Sequence, residues 1–262
     1  MNINLPIRIN RWLFAVLLVS STLLAQTKTL QDSIYYYQSL IKKTPNNEPA
    51  WFALQKLLLQ KGDFKTAQKL IRYDLSDRLF WGQIRIFFYS HQFDTIHVYL
   101  TEMAAKFPGS SYLNDALDLG ILIASTKNNL SDLKNYTQAY FDYEIGNYEN
   151  AIRECKQLIT KSSKVSEYAY LLLHKIYLAK NEINQSLATL SEFVQKFPES
   201  YLNPKAQYEI GLIYLESLKD TARARTILEK LILDFPSSPS SFFARAKLSI
   251  IDATEKQEGK IR

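Results

Sequence analysis

Apolar side chains recur along most of this chain at intervals of three, four and seven residues, the spacing that lines one face of a helix. In residues 45–67, Trp51, Leu54 and Leu58 form such a stripe, Gly62 and Phe64 follow where it stops, and Ala67 sits on the next stripe. A glycine at the stop ends the first helix, because its backbone enters the left-handed region without a Cβ clash. A small residue such as Ala67 lets the second helix approach the first closely. The unit predicted here is a pair of helices joined by a tight turn.

The unit recurs. Phe80, Ile84, Phe87, Phe93, Ile96, Leu100 and Pro108 make a second copy, with Trp81 leaving its first helix open in register by one residue. Gly146, Tyr148 and Ala151 mark a third turn. Tyr170, Leu173, Tyr177, Ile183, Leu190, Phe193 and Pro198 make a fourth copy, with Ser186 at the small position. Ala206, Ile210, Gly211, Tyr214, Ala224, Leu228, Leu231 and Pro236 make a fifth, lengthened near Lys219-Asp220. Three copies close with Phe107-Pro108, Phe197-Pro198 and Phe235-Pro236, each followed two residues later by serine. Proline forbids the helix from continuing, and the serine can cap the next one.

A repeat of about 34 residues built this way resembles the tetratricopeptide repeat. The Phe-Pro-x-Ser closures resemble its bacterial envelope branch, which includes the repeat subunit of the outer-membrane β-barrel assembly machine and the periplasmic repeat protein of the Tol–Pal system. The resemblance covers residues 28–250 and implies an all-α fold. That fold is an α-solenoid of about five helix pairs with flanking helices, whose first helices face a concave groove.

The closures are not evenly spaced. Pro198 to Pro236 is 38 residues, one repeat with a short insertion, but Pro108 to Pro198 is 90. The surplus of about 22 residues beyond two repeats is one extra helix and its loop. It is placed at Ser111–Lys127, with Asn128-Asn129 as its stop. The predicted organisation is a signal peptide over 1–25, an N-terminal arm over 26–110, an extra linking helix over 111–130, a C-terminal arm over 131–254 and a frayed tail over 255–262. The register breaks near 109–131. Residues 28–43 and 240–254 read as leading and trailing helices that cover the ends of the core.

The first 26 residues carry Arg8 and Arg11, an apolar run from Trp12 to Leu24, and Ala25 before a polar stretch, which is the form of a secretory signal. Gln26 stands where a lipoprotein would need cysteine. The chain is therefore expected to be exported, periplasmic or outer-membrane-associated, with retention of the leader as an N-terminal membrane anchor as the alternative. Peripheral association with the outer membrane or cell wall fits either.

Charge and chemistry narrow the picture. The formal charge is +6, with 32 basic residues interleaved among 26 acidic ones, which gives no stripe for nucleic acid. The single cysteine, Cys155, can make no internal disulfide or cysteine-based metal site and is expected as a packing thiol. His91 and His97 lack the third partner a metal needs, His91 standing at a turn where glycine is usual. No phosphate-binding loop, dinucleotide fingerprint or hydrolase motif occurs. No cofactor, metal or small-molecule substrate and no catalysis are expected.

Seventeen tyrosines exceed what the repeat consumes. Carried over from the family by spacing from each turn, the groove-facing positions are Phe52, Lys56, Trp81, Arg85, Tyr89, Tyr136, Tyr140, Tyr143, Tyr168, Lys175 and Tyr208. Tyrosine and tryptophan give large contact area with few rotors to freeze, and Arg85 and Lys175 can hold a carboxylate. A protein or peptide partner is the leading expectation. A glycan-binding accessory role and a helical subunit of an enzyme complex are the alternatives.

Overall fold

A computed structural model describes residues 29–70, 76–161 and 163–261, with side chains through Glu255. The predicted signal peptide lies outside the described residues. Among those residues every regular element is helical and no strand occurs. In order they are α1 (29–43), α2 (Glu48–Lys61), α3 (Phe64–Gln68), α4 (Asp77–Tyr89), α5 (Phe93–Lys106), α6 (Leu113–Thr126), α7 (Leu130–Glu144), α8 (Tyr148–Ile159), α9 (Lys164–Ala179), α10 (Ile183–Lys196), α11 (Asn203–Leu212), a π turn (Ile213–Ser217), α12 (Thr221–Asp234) and α13 (Pro239–Ile261).

The chain divides into two compact units between Leu117 and Asp118, within α6. In the first, α2 packs on α3 and α4, and α4 on α5. In the second, each helix from α7 to α13 packs on the next. First helices also touch first helices, α2 on α4, α7 on α9 and α11 on α13, with no comparable contact from α8 to α10 or α10 to α12. This is the helix-pair stacking of a tetratricopeptide-like α-solenoid, and it gives each unit a first-helix face.

Burial settles the register of α4. Phe80, Ile84 and Phe87 lie in the core and Trp81 is half-buried. The turns repeat one backbone solution: Gly62, His91, Gly146, Asn181 and Lys219 all have positive φ, from 56° to 82°. The left-handed residue lets the chain reverse while the last carbonyls of the first helix still find donors. The lengthened fifth copy keeps the device. Its extra residue is taken up as a π turn, with Leu218 N–H donating to Ile213 O and Asp220 N–H to Tyr214 O, before Lys219 supplies the left-handed step.

The Phe-Pro closures share a geometry too. Phe107, Phe197 and Phe235 have φ of −131°, −128° and −134°, and each donates its N–H to the carbonyl four residues back. The carbonyls of Phe197 and Phe235 are then met by the Asn203 amide (3.0 Å) and the Ser241 hydroxyl (2.6 Å).

Serines ahead of the first helices, closing serines among them, reach backwards. Ser76 donates to Glu48, Ser110 to Asp77 (2.7 Å) and Ser200 to Glu167, spanning 28, 33 and 33 residues. Each acid stands near the start of a first helix and each serine near the start of the next. Asp132 holds the same place in α7: burial pushes its carboxyl up, but Lys161, Ser163 and Asn129 together keep it below its ordinary value. A carboxylate-to-hydroxyl clasp thus joins successive helix pairs. In α11 the place is taken by Pro204, and Ser238 turns to Ser241 instead.

Two sequence expectations shift. Asn129 accepts the Asp132 N–H and so starts α7 rather than ending α6. The backbone of α13 stays helical through Ile261, where a frayed tail is predicted. Arg225 on α12 pairs with Asp252 (2.7 Å) and Glu255 (2.8 Å), holding that stretch against the helix before it.

Candidate functional site

In the second unit the first-helix face is built around tyrosine. The spacings of 4 and 3 put Tyr136, Tyr140 and Tyr143 on one side of α7, with ring centroids 6.1 Å apart at each step. Tyr143 continues to Tyr148 at 6.1 Å, and Tyr136 crosses to Tyr168 on α9 at 6.2 Å. Tyr168 meets Tyr201 hydroxyl to hydroxyl, their rings 6.4 Å apart. Six aromatic rings therefore run unbroken from the turn after α7 to the loop before α11. Three of the five steps are edge-on and two are tilted, an arrangement that fixes ring orientation and leaves polar tips along the row.

Burial differs along it. Tyr136 and Tyr168 are only 6% and 7% exposed, whereas Tyr140 and Tyr143 are half-buried and Tyr201 is exposed. Desolvation pushes the Tyr136 and Tyr168 hydroxyls far above the ordinary phenol value, and Tyr201 up to about 12. All three are further raised by the carboxylate of Asp118.

Beyond the tyrosines the face turns charged. Lys205 on α11 pairs with Asp118 at 2.5 Å. Burial raises the Glu209 carboxyl, and Lys175 and Lys205 pull it back. Tyr208 packs on Phe243 of α13 at 6.2 Å, and Lys247 bonds Glu216 at 2.7 Å. Behind Lys175 lies His174, 1% exposed, its Nδ1 3.3 Å from the Ser186 hydroxyl. The imidazole takes the place that Gly211 has in the last repeat, and Ser186 answers it where Ala224 stands there.

In the first unit, Phe52 lies under the Arg78 guanidinium at 3.4 Å, and Trp81 stacks on Tyr112 at 6.5 Å. Tyr89 is buried beside Phe64 and Phe88, Arg85 is half-buried and Lys56 is exposed. Of the groove residues named from sequence, Tyr136, Tyr140, Tyr143 and Tyr168 are brought into one cluster, with Lys175 and Tyr208 farther along the same face. Phe52, Lys56, Trp81, Arg85 and Tyr89 belong to the other unit.

Sequence reasoning missed Tyr201, Lys205, Glu209 and Asp118. A signal for the first was present: an aromatic residue follows the closing serine at both Tyr112 and Tyr201, and each reaches the aromatic of the preceding first helix. Asp118 reads in sequence as one of a chance acidic pair with Asp115. Cys155 is fully buried, and burial pushes its thiol up, so it packs and does not react. Among the described residues no group of three His, Cys, Asp or Glu side chains could hold a metal. No helix of the described residues is long and apolar enough to cross a membrane.

Residues 205–238 match the tetratricopeptide repeat family. That stretch runs from Lys205 on the first-helix face through the π turn and α12 to the third Phe-Pro closure. Among solved structures the chain is similar to one in the crystal structure of the APC/C hetero-tetramer Cut9–Hcn1, with 13% identity and a TM-score of 0.37. The likeness covers 81% of this chain and 45% of that one, so less than half of that protein is spanned. No curated protein matches the sequence.

Proposed function

We propose that the chain is a non-catalytic scaffold that docks a peptide segment or partner protein on its first-helix face, in the bacterial cell envelope. The observation that carries this is the row of six linked tyrosines, with Tyr201 exposed and Tyr140, Tyr143 and Tyr148 half-buried, beside Lys175 and Lys205. Rigid aromatic rings with polar tips bind with little loss of side-chain freedom, and flanking lysines select for carboxylates. Repeats of the tetratricopeptide kind serve protein–protein interaction, which supports a protein partner. The envelope setting rests on the apolar run Trp12–Leu24 and the Phe-Pro-x-Ser closures.

The test is a photoreactive residue at Tyr140, crosslinked in envelope extract. Capture of one defined protein, abolished when Lys175 and Lys205 are both changed to Glu, supports the proposal. Retention on purified cell-wall sacculi stripped of protein, with no captured protein, overturns it in favour of glycan binding.

A further inference from the structure

The extra helix α6 does not add a rung to the row of helix pairs. It is joined to α7 by residues 127–129, yet its Asp118 pairs with Lys205 on α11, 87 residues along the chain. Between α7 and α11 stands α9, which packs on α7 and is tied to the approach to α11 by Glu167 to Ser200 and Tyr168 to Tyr201. Packed helices lie about 8–10 Å apart, so α11 is about 20 Å from α7. From Asp118 to Thr126 a helix rises about 12 Å, and the linking residues supply the rest. The second half of α6 therefore runs across the first-helix face. This accounts for the burial of Tyr136 and Tyr168, which spacing places on an open side. Leu122, one turn beyond Asp118 on the same side of α6, is 2% exposed.

The hold is exchangeable. The Asp118 and Lys205 side chains are 33% and 36% exposed, so water and salt reach the ion pair. Lys175 and Lys205 both draw down the Glu209 carboxyl, and Lys205 also takes Asp118 as its ion partner.

We propose that residues 118–126 are a resident occupant of the face formed by α7, α9 and α11, and that a partner displaces them with an amphipathic helix of the same make-up. That helix presents a carboxylate to Lys205 and an aliphatic side chain one turn later. The proposal rests on the reading of this face as a docking surface and names what docks there.

The probe is a fluorescein-labelled synthetic peptide of residues 113–127, titrated into the full chain and followed by anisotropy. The wild-type chain binds it weakly, because the resident helix competes. A chain carrying Asp118→Asn and Leu122→Ala binds it about tenfold more tightly, the factor for a site otherwise free one-tenth of the time. Adding Lys205→Glu removes the gain, and a peptide carrying Asp118→Lys restores it. Circular dichroism confirms that each chain is folded, and Asp118→Asn alone serves if the double variant is not. Equal affinity for wild-type and loosened chains, or indifference to Lys205→Glu, overturns the proposal. Capture of a protein from Tyr140 alongside such indifference leaves the scaffold reading standing and removes only the displaced helix.

Discussion

The hydroxyl of Ser200 donates to the carboxylate of Glu167, tying the start of α11 to the start of α9 across 33 residues. The same oxygen accepts the Leu202 N–H, so one small side chain serves both the clasp and the next helix. Both partners are buried. Ser200→Ala leaves a buried carboxylate short of a donor and is expected to lower stability by about 1.5–3 kcal/mol in urea unfolding. Ser76→Ala, in the exposed clasp to Glu48, is expected to lose less than about 1 kcal/mol. Equal losses at the two sites would show that burial does not set the worth of the clasp.

His174 predicts an acid weakness. Burial, with Lys175 and Lys205 nearby, pushes its imidazole down to about 3, so the folded chain keeps it neutral. An unfolded histidine takes up a proton near pH 6.5. Stability is therefore full above about pH 6.5 and falls as pH drops toward 3, on the order of 2 kcal/mol between pH 7 and pH 5. Urea midpoints at those two pH values check this, and His174→Gln should flatten the difference while the rest of the acid response stays.

Much of the fold was legible because its signals are local. Helix stripes, the glycine turns and the Phe-Pro closures each sit within a few residues of the structure they dictate. The inserted residue near Lys219 was legible as a lengthening, and the π turn is how the backbone takes it up. The clasps were harder, since serine near a helix start reads equally well as a cap, and the acid lies a whole repeat earlier. The site was only half legible. Spacing puts Tyr136 and Tyr168 where their rings meet across α7 and α9, but nothing local to them says that Asp118 lies across that side. Tyr201 and Lys205 were missed because one sits in a loop and the other follows Pro204, which breaks the pattern where neighbouring repeats carry the clasp acid.

The five left-handed turns differ in who occupies them. A side chain costs about 1–2 kcal/mol there unless it is glycine, with asparagine the mildest exception. Lys219→Gly is expected to raise stability by about 0.5–1 kcal/mol after the added freedom of the unfolded chain is subtracted. Gly146→Ala, at φ 82°, is expected to lower it by about 1 kcal/mol, and Asn181→Gly to change it little. Thermal melts of the three variants give the ranking.

Gly211 marks the closest approach of α11 to α12. A Cβ there would stand 2.7 Å from Leu228 Cδ2 and 3.0 Å from its Cγ. Gly211→Ala is expected to lose about 1–3 kcal/mol by overpacking, measured in urea. Combining it with Leu228→Val should lose less than the sum of the two single changes, because the smaller side chain vacates the space.

Pro204 interrupts the clasps, and the final helix pair is fastened differently from the rest. Its anchor is Arg225 gripping Asp252 and Glu255 on the surface, a bond that dissolved ions weaken, whereas Ser200 and Glu167 are shielded from them. Ionic strength should then choose where the array begins to unzip. Amides of α13 would exchange faster as salt is added while those of α9 hold their rate, so that the carboxyl-terminal end peels away before the interior yields.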